Sequence, residues 1–151
     1  VTWSINIIQQ KDLRTIWPAV APLLAKAIAY SGGRYDLRAL FEQIDEGREL
    51  LWVIYADGPI RAVFTSRETL YPRRTLLTVD FCGGADVSEW AEPITERLRA
   101  FARDRGLDGV EFYGRRGWGR IMKPFGWQQS VVLHELPVVR PGTAVNGEGV
   151  E

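Results

Sequence analysis

Trp3-Ser4-Ile5-Asn6-Ile7 alternates apolar and polar residues, the period of a half-buried strand. Asp12 is suited to cap a helix, and Leu13, Trp17, Val20, Leu24 and Ala27 then recur at the spacing of one helical face. Pro18 and Pro22 each remove an N–H inside that run, which predicts a kink or two shorter helices before Ser31-Gly32-Gly33 ends it. Asp36 opens a second helix, with Leu37, Leu40, Phe41 and Ile44 on one side and Gly47 as its stop.

Leu50 to Ala56 is rich in β-branched and aromatic residues and reads as a strand. Asp57-Gly58 signals a hairpin, with Pro59 equally compatible with a longer loop. Ile60 to Ser66 is the return strand, Tyr71-Pro72-Arg73-Arg74 a turn, and Thr75 to Phe81 the third strand of a meander.

The stretch from Leu76 to Trp127 organises the rest. A strand leads into the small-residue turn Cys82-Gly83-Gly84-Ala85, then a helix from Ser88 to Arg105, a stop at Gly106 and a strand from Gly109 to Tyr113. That is a βαβ unit, because parallel strands require a crossover of this length. The helix sets Trp90, Ile94, Leu98 and Phe101 on one face, and Pro93 fits in or near its first turn. Trp118 to Phe125 reads as a short helix ending at Gly126, and Trp127 to Leu136 as a closing strand with Val131 and Leu133 on one face. From Pro137 the Pro/Gly-rich composition is that of an extended tail, so the expected division is a domain over 1–136 and a tail over 137–151.

Composition narrows the class. A chain of 151 residues with 46% hydrophobic and 25% charged residues has room for one globular core. Lys+Arg 19 against Asp+Glu 19 gives no net charge to draw nucleic acid or an anionic membrane. The single cysteine, Cys82, excludes an intrachain disulfide and suits a reducing compartment. Ile16 to Tyr30 is interrupted by Pro18, Pro22 and Lys26 and is no membrane span. One His and one Cys cannot supply a usual metal-ligand set, so no metal is expected. These features suit a soluble intracellular protein, or one made in a cytoplasm and packaged there.

The order β-α-α-β-β-β-α-β-α-β, with glycines between the fourth strand and third helix and a Gly126-Trp127 pair near the end, resembles the GNAT acetyltransferase superfamily over Trp3 to Leu136. That resemblance implies an α/β (α+β) fold with a mixed central sheet of six to seven strands and about four helices. More narrowly, Leu51-Trp52-Val53, Cys82-Gly83-Gly84, Trp90 and Gly114-Arg115-Arg116-Gly117-Trp118-Gly119-Arg120 resemble small GNAT-like proteins of tailed bacteriophages and prophages, some of them virion components.

The superfamily's pyrophosphate loop, Gln/Arg-x-x-Gly-x-Gly/Ala, implies cofactor contacts at Phe81, Cys82, Gly83, Gly84 and Ala85, where backbone N–H groups and a helix N-terminus receive phosphate. Asp80 stands where the family has Gln or Arg, and Asp86 adds a second negative charge. Met122 occupies the position of the family's frequent acid tyrosine, and Arg115 aligns near a common Asn.

Glu111, with Tyr113 beside it, is the catalytic candidate, since a carboxylate in that strand can deprotonate an amine through water. Its alternative is a solvent-facing side chain. Cys82 reads as a small buried residue and His134 as a packed or surface one. Arg115, Arg116, Trp118, Arg120 and Lys123 form the densest unusual cluster. It suits a phosphate clamp, an acidic partner docked around Trp118, or a solvated basic helix face.

With acidic residues at the phosphate corner and no acid at Met122, the reading drawn from sequence is a virion or assembly component. It would act through contacts with other virion or assembly proteins, partly through the C-terminal tail, with a degenerate acyl-CoA site and no cofactor. The alternatives are an acyl-CoA-dependent N-acetyltransferase using acetyl-CoA, and a small-ligand or peptide binding module on the same cleft.

Overall fold

The computed structural model describes residues 2–142. Its elements in chain order are β1 (Trp3–Ile7), α1 (Leu13–Ile28), α2 (Leu37–Asp45), β2 (Leu50–Ala56), β3 (Ile60–Leu70), β4 (Thr75–Gly84), α3 (Val87–Asp104), β5 (Gly109–Phe112) and α4 (Arg116–Met122). The strands form one sheet in the order β1-β2-β3-β4-β5. Neighbours are antiparallel until the last pair, where β5 lies parallel to β4 after the α3 crossover.

Each face of the sheet buries its own core. Trp52, Ile54, Phe64, Leu77 and Val79 point to one side and meet Trp90, Ile94 and Leu98 of α3 and Met122 of α4. Leu51, Val53, Val63 and Phe81 point to the other and meet Leu13, Val20 and Leu24 of α1 and Leu40 and Ile44 of α2. Trp52 is held further by a bond from its Nε1 to Ser66 Oγ at 2.8 Å and by the Arg97 guanidinium 5.1 Å above its ring.

Several expectations are corrected. α1 is one continuous helix despite Pro18 and Pro22. Both prolines lie on its exposed side, so the carbonyls they leave unbonded face water rather than the core. Asp12 stands at the start of α1 but makes no capping bond, whereas Asp36 does cap α2, its Oδ1 accepting from Ala39 N at 2.7 Å. Pro93 lies in the interior of α3, not its first turn. Cys82, Gly83 and Gly84 belong to β4 and not to a turn, because β3 pairs with β4 as far as Ala62↔Gly84.

Among the described residues the expected sheet of six to seven strands has five, and the element order stops at α4. Trp127 to Leu136 forms no closing strand. Trp127 is anchored through Nε1 to Thr95 Oγ1 at 2.8 Å, and Glu135 meets Arg34 at 3.5 Å, which takes the segment across the sheet edge instead of along it. Strand propensity is overridden here by these tertiary contacts. Of the expected tail, residues 143–151 lie outside the described residues.

Candidate functional site

The sheet opens at a single point in β4. Pairing with β5 ends at Val79↔Phe112, yet β4 runs on to Gly84. At the same level the β3–β4 register slips: Thr65 faces Phe81 and Ser66 faces Val79, which leaves Asp80 as an extra residue. This is a β-bulge, and it bends the strand and re-aims its side chains. Beyond it β4 and β5 diverge.

The divergence leads into a groove of about 620 Å³. Lys26 and Tyr30 border it from the end of α1, Cys82 to Gly84 from β4, Val87 from α3, and Arg115, Trp118 and Ile121 from α4 and its approach. Trp118 is half-buried against Phe112 and Trp90, with ring centroids at 6.0 and 6.2 Å. The Arg115 guanidinium stacks 3.8 Å over the Tyr30 ring, a cation–π contact that closes one side of the groove. Lys26 and Arg115 are therefore the cations nearest its mouth, while Arg116, Arg120 and Lys123 are exposed on α4 and the turn after it.

The glycines here answer to packing. A Cβ on Gly83 would overlap the Leu23 carbonyl of α1, and one on Gly84 would overlap Ala62 of β3. Gly114 is required in the same way, since a Cβ would strike the Phe112 ring. By bringing α1 onto β4, Gly83 sets the floor of the groove.

Helix α3 begins there without a side-chain cap: Asp86 takes a left-handed conformation, φ 60°, and makes no capping bond. Its carboxylate instead pairs with Arg61 at 3.2 Å, and Arg61 also holds Glu89 at 2.7 Å. One guanidinium thus serves two carboxylates, so Asp86 is paired but the group keeps a negative charge at the start of α3. Glu89 N is bonded to Asp86 O at 2.9 Å, which leaves the Val87 and Ser88 amides without a partner among the described residues and open to an anion.

Asp80 does not lie at the phosphate corner. The bulge directs it to the α1–α2 face, where Arg67 grips it with two bonds, 2.7 and 3.2 Å. Behind it sits Glu49, only 2% exposed. Burial first, and then the bonded Asp80 carboxylate, push the Glu49 carboxyl up to about 9, so at neutral pH it keeps its proton and donates to Asp80. Thr65 beside it favours the charged form slightly, and Glu49 Oε1 and Thr65 Oγ1 are both buried without a hydrogen-bond partner among the described residues.

Glu111 lies opposite Thr78, one step before the strands part, and its two oxygens accept from Tyr71 Oη at 2.7 and 2.9 Å. That bond holds the Tyr71 proton, raising the phenol well above its ordinary value. Tyr113 is exposed just past β5. Cys82 borders the groove, and desolvation raises its thiol to about 12, which leaves no thiolate for attack. His134 is exposed and distant from the groove lining. Met122 is buried in the core and offers no proton. Among the described residues no cluster of His, Cys, Asp and Glu has the makings of a metal site, and no helix is long and apolar enough to cross a membrane.

Lys26, Tyr30, Glu49 and Arg67 carry no motif and were not singled out as site residues from sequence, while Asp80 was read only as a departure from the phosphate-loop pattern. They come together only because a bulge and two glycines fix how α1, β3 and β4 meet.

No family model and no curated relative matches the sequence. Solved structures do match the fold. An aminoglycoside acetyltransferase, HMB0005, from an uncultured soil metagenomic sample is 12% identical with a TM-score of 0.67, over 92% of this chain and 100% of that one. A ribosomal-protein-alanine N-acetyltransferase from Brucella melitensis biovar Abortus 2308 is 14% identical with a TM-score of 0.63, over 93% and 100%. A predicted acetyltransferase with acetyl-CoA from Clostridium acetobutylicum is 13% identical with a TM-score of 0.62, over 90% and 96%.

The fold is that of the GNAT acetyltransferases. This corrects the assembly-component reading, since the structures that share the architecture are described as acetyltransferases and not as virion parts. Of its chemical grounds, Asp80 is turned away and paired to Arg67, Asp86 shares Arg61 with Glu89, and Met122 still offers no proton. The narrower likeness to phage-encoded proteins gains no support from these GNAT neighbours.

Proposed function

We propose that the protein is an acyl-CoA-dependent N-acetyltransferase. The observation that carries this reading is the parting of β4 from β5 at the Asp80 bulge, which opens onto a groove flanked by Lys26 and Arg115 and by the uncapped start of α3. These residues fit an extended anionic ligand. Cations stand at the rim, free helix amides lie beyond β4, and Trp118 gives an apolar wall for a flexible chain.

Acetyl-CoA would supply an activated acetyl thioester there, and the chain's own groups would do the rest. Past Val79 the β4 edge that faced β5 has no strand partner, so its N–H groups are free to stabilise charge on the thioester oxygen. Glu111, on the strand beside the split, is the carboxylate we assign to take the amine proton, directly or through water, while Tyr71 fixes its orientation. The thiolate would leave without a tyrosine on α4, because Met122 replaces it; solvent would supply that proton. We assign Tyr113 no role. In this reading Arg115 touches the ligand, and Arg116, Arg120 and Lys123 add long-range attraction.

The buried Met122 favours one further reading, a module that binds acyl-CoA without turning it over. Calorimetry with acetyl-CoA, followed by thiol release in the presence of a panel of primary amines, separates the possibilities. Micromolar binding with amine-dependent thiol release is expected. Binding without release leaves the module, and silence at millimolar ligand removes both.

A further inference from the structure

Glu49 directly precedes β2, is only 2% exposed, and has no part in the transfer as assigned above. It stands behind the β4 bulge with groups from three other segments. Asp80 reaches it from β4, Arg67 and Thr65 face it from β3, and the Tyr35 phenol faces it from the loop between α1 and α2. Burial first, and then the two acids, raise the Tyr35 phenol, so it too keeps its proton at neutral pH.

Asp80 is clamped from two sides. Arg67 gives its carboxylate two bonds, at 2.7 and 3.2 Å, and is itself steadied by a bond from Nη1 to Thr69 Oγ1 at 3.0 Å. From behind, the neutral Glu49 carboxyl supplies an O–H. Glu49 Oε1 has no partner among the described residues, so the bond to Asp80 is what ties this side chain. Asp80 is also the extra residue of the bulge and the first residue of β4 beyond its last rung with β5. A bulged residue lacks the ladder bonds that fix its neighbours, so its backbone is set largely by what its side chain holds. The free β4 edge assigned to the thioester oxygen starts at this residue.

Building on the acetyltransferase reading, we propose that Glu49 is a positioning residue: its O–H and Arg67 together lock the Asp80 bulge, and the lock aims the free β4 edge at the thioester. The chemistry of the groove then depends on a proton that never meets substrate. While Glu49 is neutral, it bridges to a carboxylate. Once it ionises, two buried carboxylates share one guanidinium, the bridge becomes a repulsion, and the bulge loses its rear support. A glutamine at this place offers an N–H at every pH, whereas a leucine offers no donor.

Two measurements on the full chain test this. Carboxyl and amide NMR titration from about pH 6 to about pH 10.5 needs no turnover. The Glu49 carboxyl is expected to titrate near 9, with the Asp80, Phe81 and Cys82 amides shifting at the same midpoint. In Glu49→Gln those amides keep their neutral-pH positions. Amides that ignore the Glu49 titration, or that move equally in Glu49→Gln, overturn the proposal. The second measurement is the pH profile of acetyl transfer. Native kcat is expected to fall about tenfold above the midpoint while that of Glu49→Gln holds, with KM for acetyl-CoA within about threefold in both. Glu49→Leu should lower kcat about 30-fold at neutral pH without that change in KM, and Glu49→Gln should keep the native value. An alkaline limit that persists in Glu49→Gln overturns the proposal, as does full kcat in Glu49→Leu. Amide coupling without thiol release in any of the proteins supports the lock and removes the acetyltransferase reading.

Discussion

The two sides of β4 solve opposite problems. Toward α4 the strand borders an open groove whose charges, Lys26 and Arg115, stand at the rim in solvent. Toward the α1–α2 loop it buries an acid pair, Glu49 and Asp80, against one arginine, with two polar atoms left unbonded. Rim charges attract a ligand at little cost to the fold. Buried charges must be held by close partners or by a proton, and they make the fold depend on each contact. The bulge at Asp80 joins the two sides, since one extra residue both sends the carboxylate inward and lets β4 leave β5.

The sharpest way to break the comparison is through the strand itself. Gly83→Ala forces a methyl group into the Leu23 carbonyl and lifts α1 from β4, with an expected loss of about 3 kcal/mol in urea unfolding and of the groove with it. Stability unchanged by that substitution means that α1 yields easily and the groove floor is not rigid. Asp80→Asn acts on the buried side only. It leaves Arg67, which is 36% exposed, without its ion partner and should cost about 2 kcal/mol after allowing for solvent around that side chain. Acetyl-CoA affinity should change far less than stability.

On the open side the ratio reverses. Arg115→Glu, at a solvent-exposed position, should weaken acetyl-CoA about tenfold by calorimetry, with a melting temperature close to that of the unaltered chain. Comparable weakening by Arg120→Glu would move the phosphate contacts out along α4.

Glu49→Gln is expected to have the smallest effect at neutral pH, because the native carboxyl is already protonated there. Its signature is in pH dependence. A carboxyl raised in the folded state stabilises fully below its unfolded value near 4.5, and that contribution is lost as pH climbs toward about 9. The native chain should therefore lose stability across that interval, and Glu49→Gln should flatten the decline. Parallel curves for the two proteins would show that Glu49 ionises normally.

Much of the fold was legible in the sequence, for identifiable reasons. Strand β1 followed from alternation, the span of β2 from its β-branched and aromatic content, and the helix face of Trp90, Ile94 and Leu98 from its period. Gly106 and Gly126 marked stops because they adopt positive φ, 70° and 98°. Trp127 to Leu136 was misread because its composition is that of a strand, while contacts with residues distant in the chain, Thr95 and Arg34, hold it outside the sheet.

Local pattern determined the elements, their approximate ends and the βαβ unit, since helix and strand periodicities are written into neighbouring residues. Tertiary structure alone decided that Asp80 turns inward to Arg67, that Asp86 is paired with Arg61, and that Gly83 and Gly84 serve close packing. Those outcomes depend on a one-residue slip in register and on contacts between segments far apart in the chain. No periodicity encodes them. The charge pairing around the groove was therefore not legible in the sequence, because a charge acts through its partner and the partners lie on other strands.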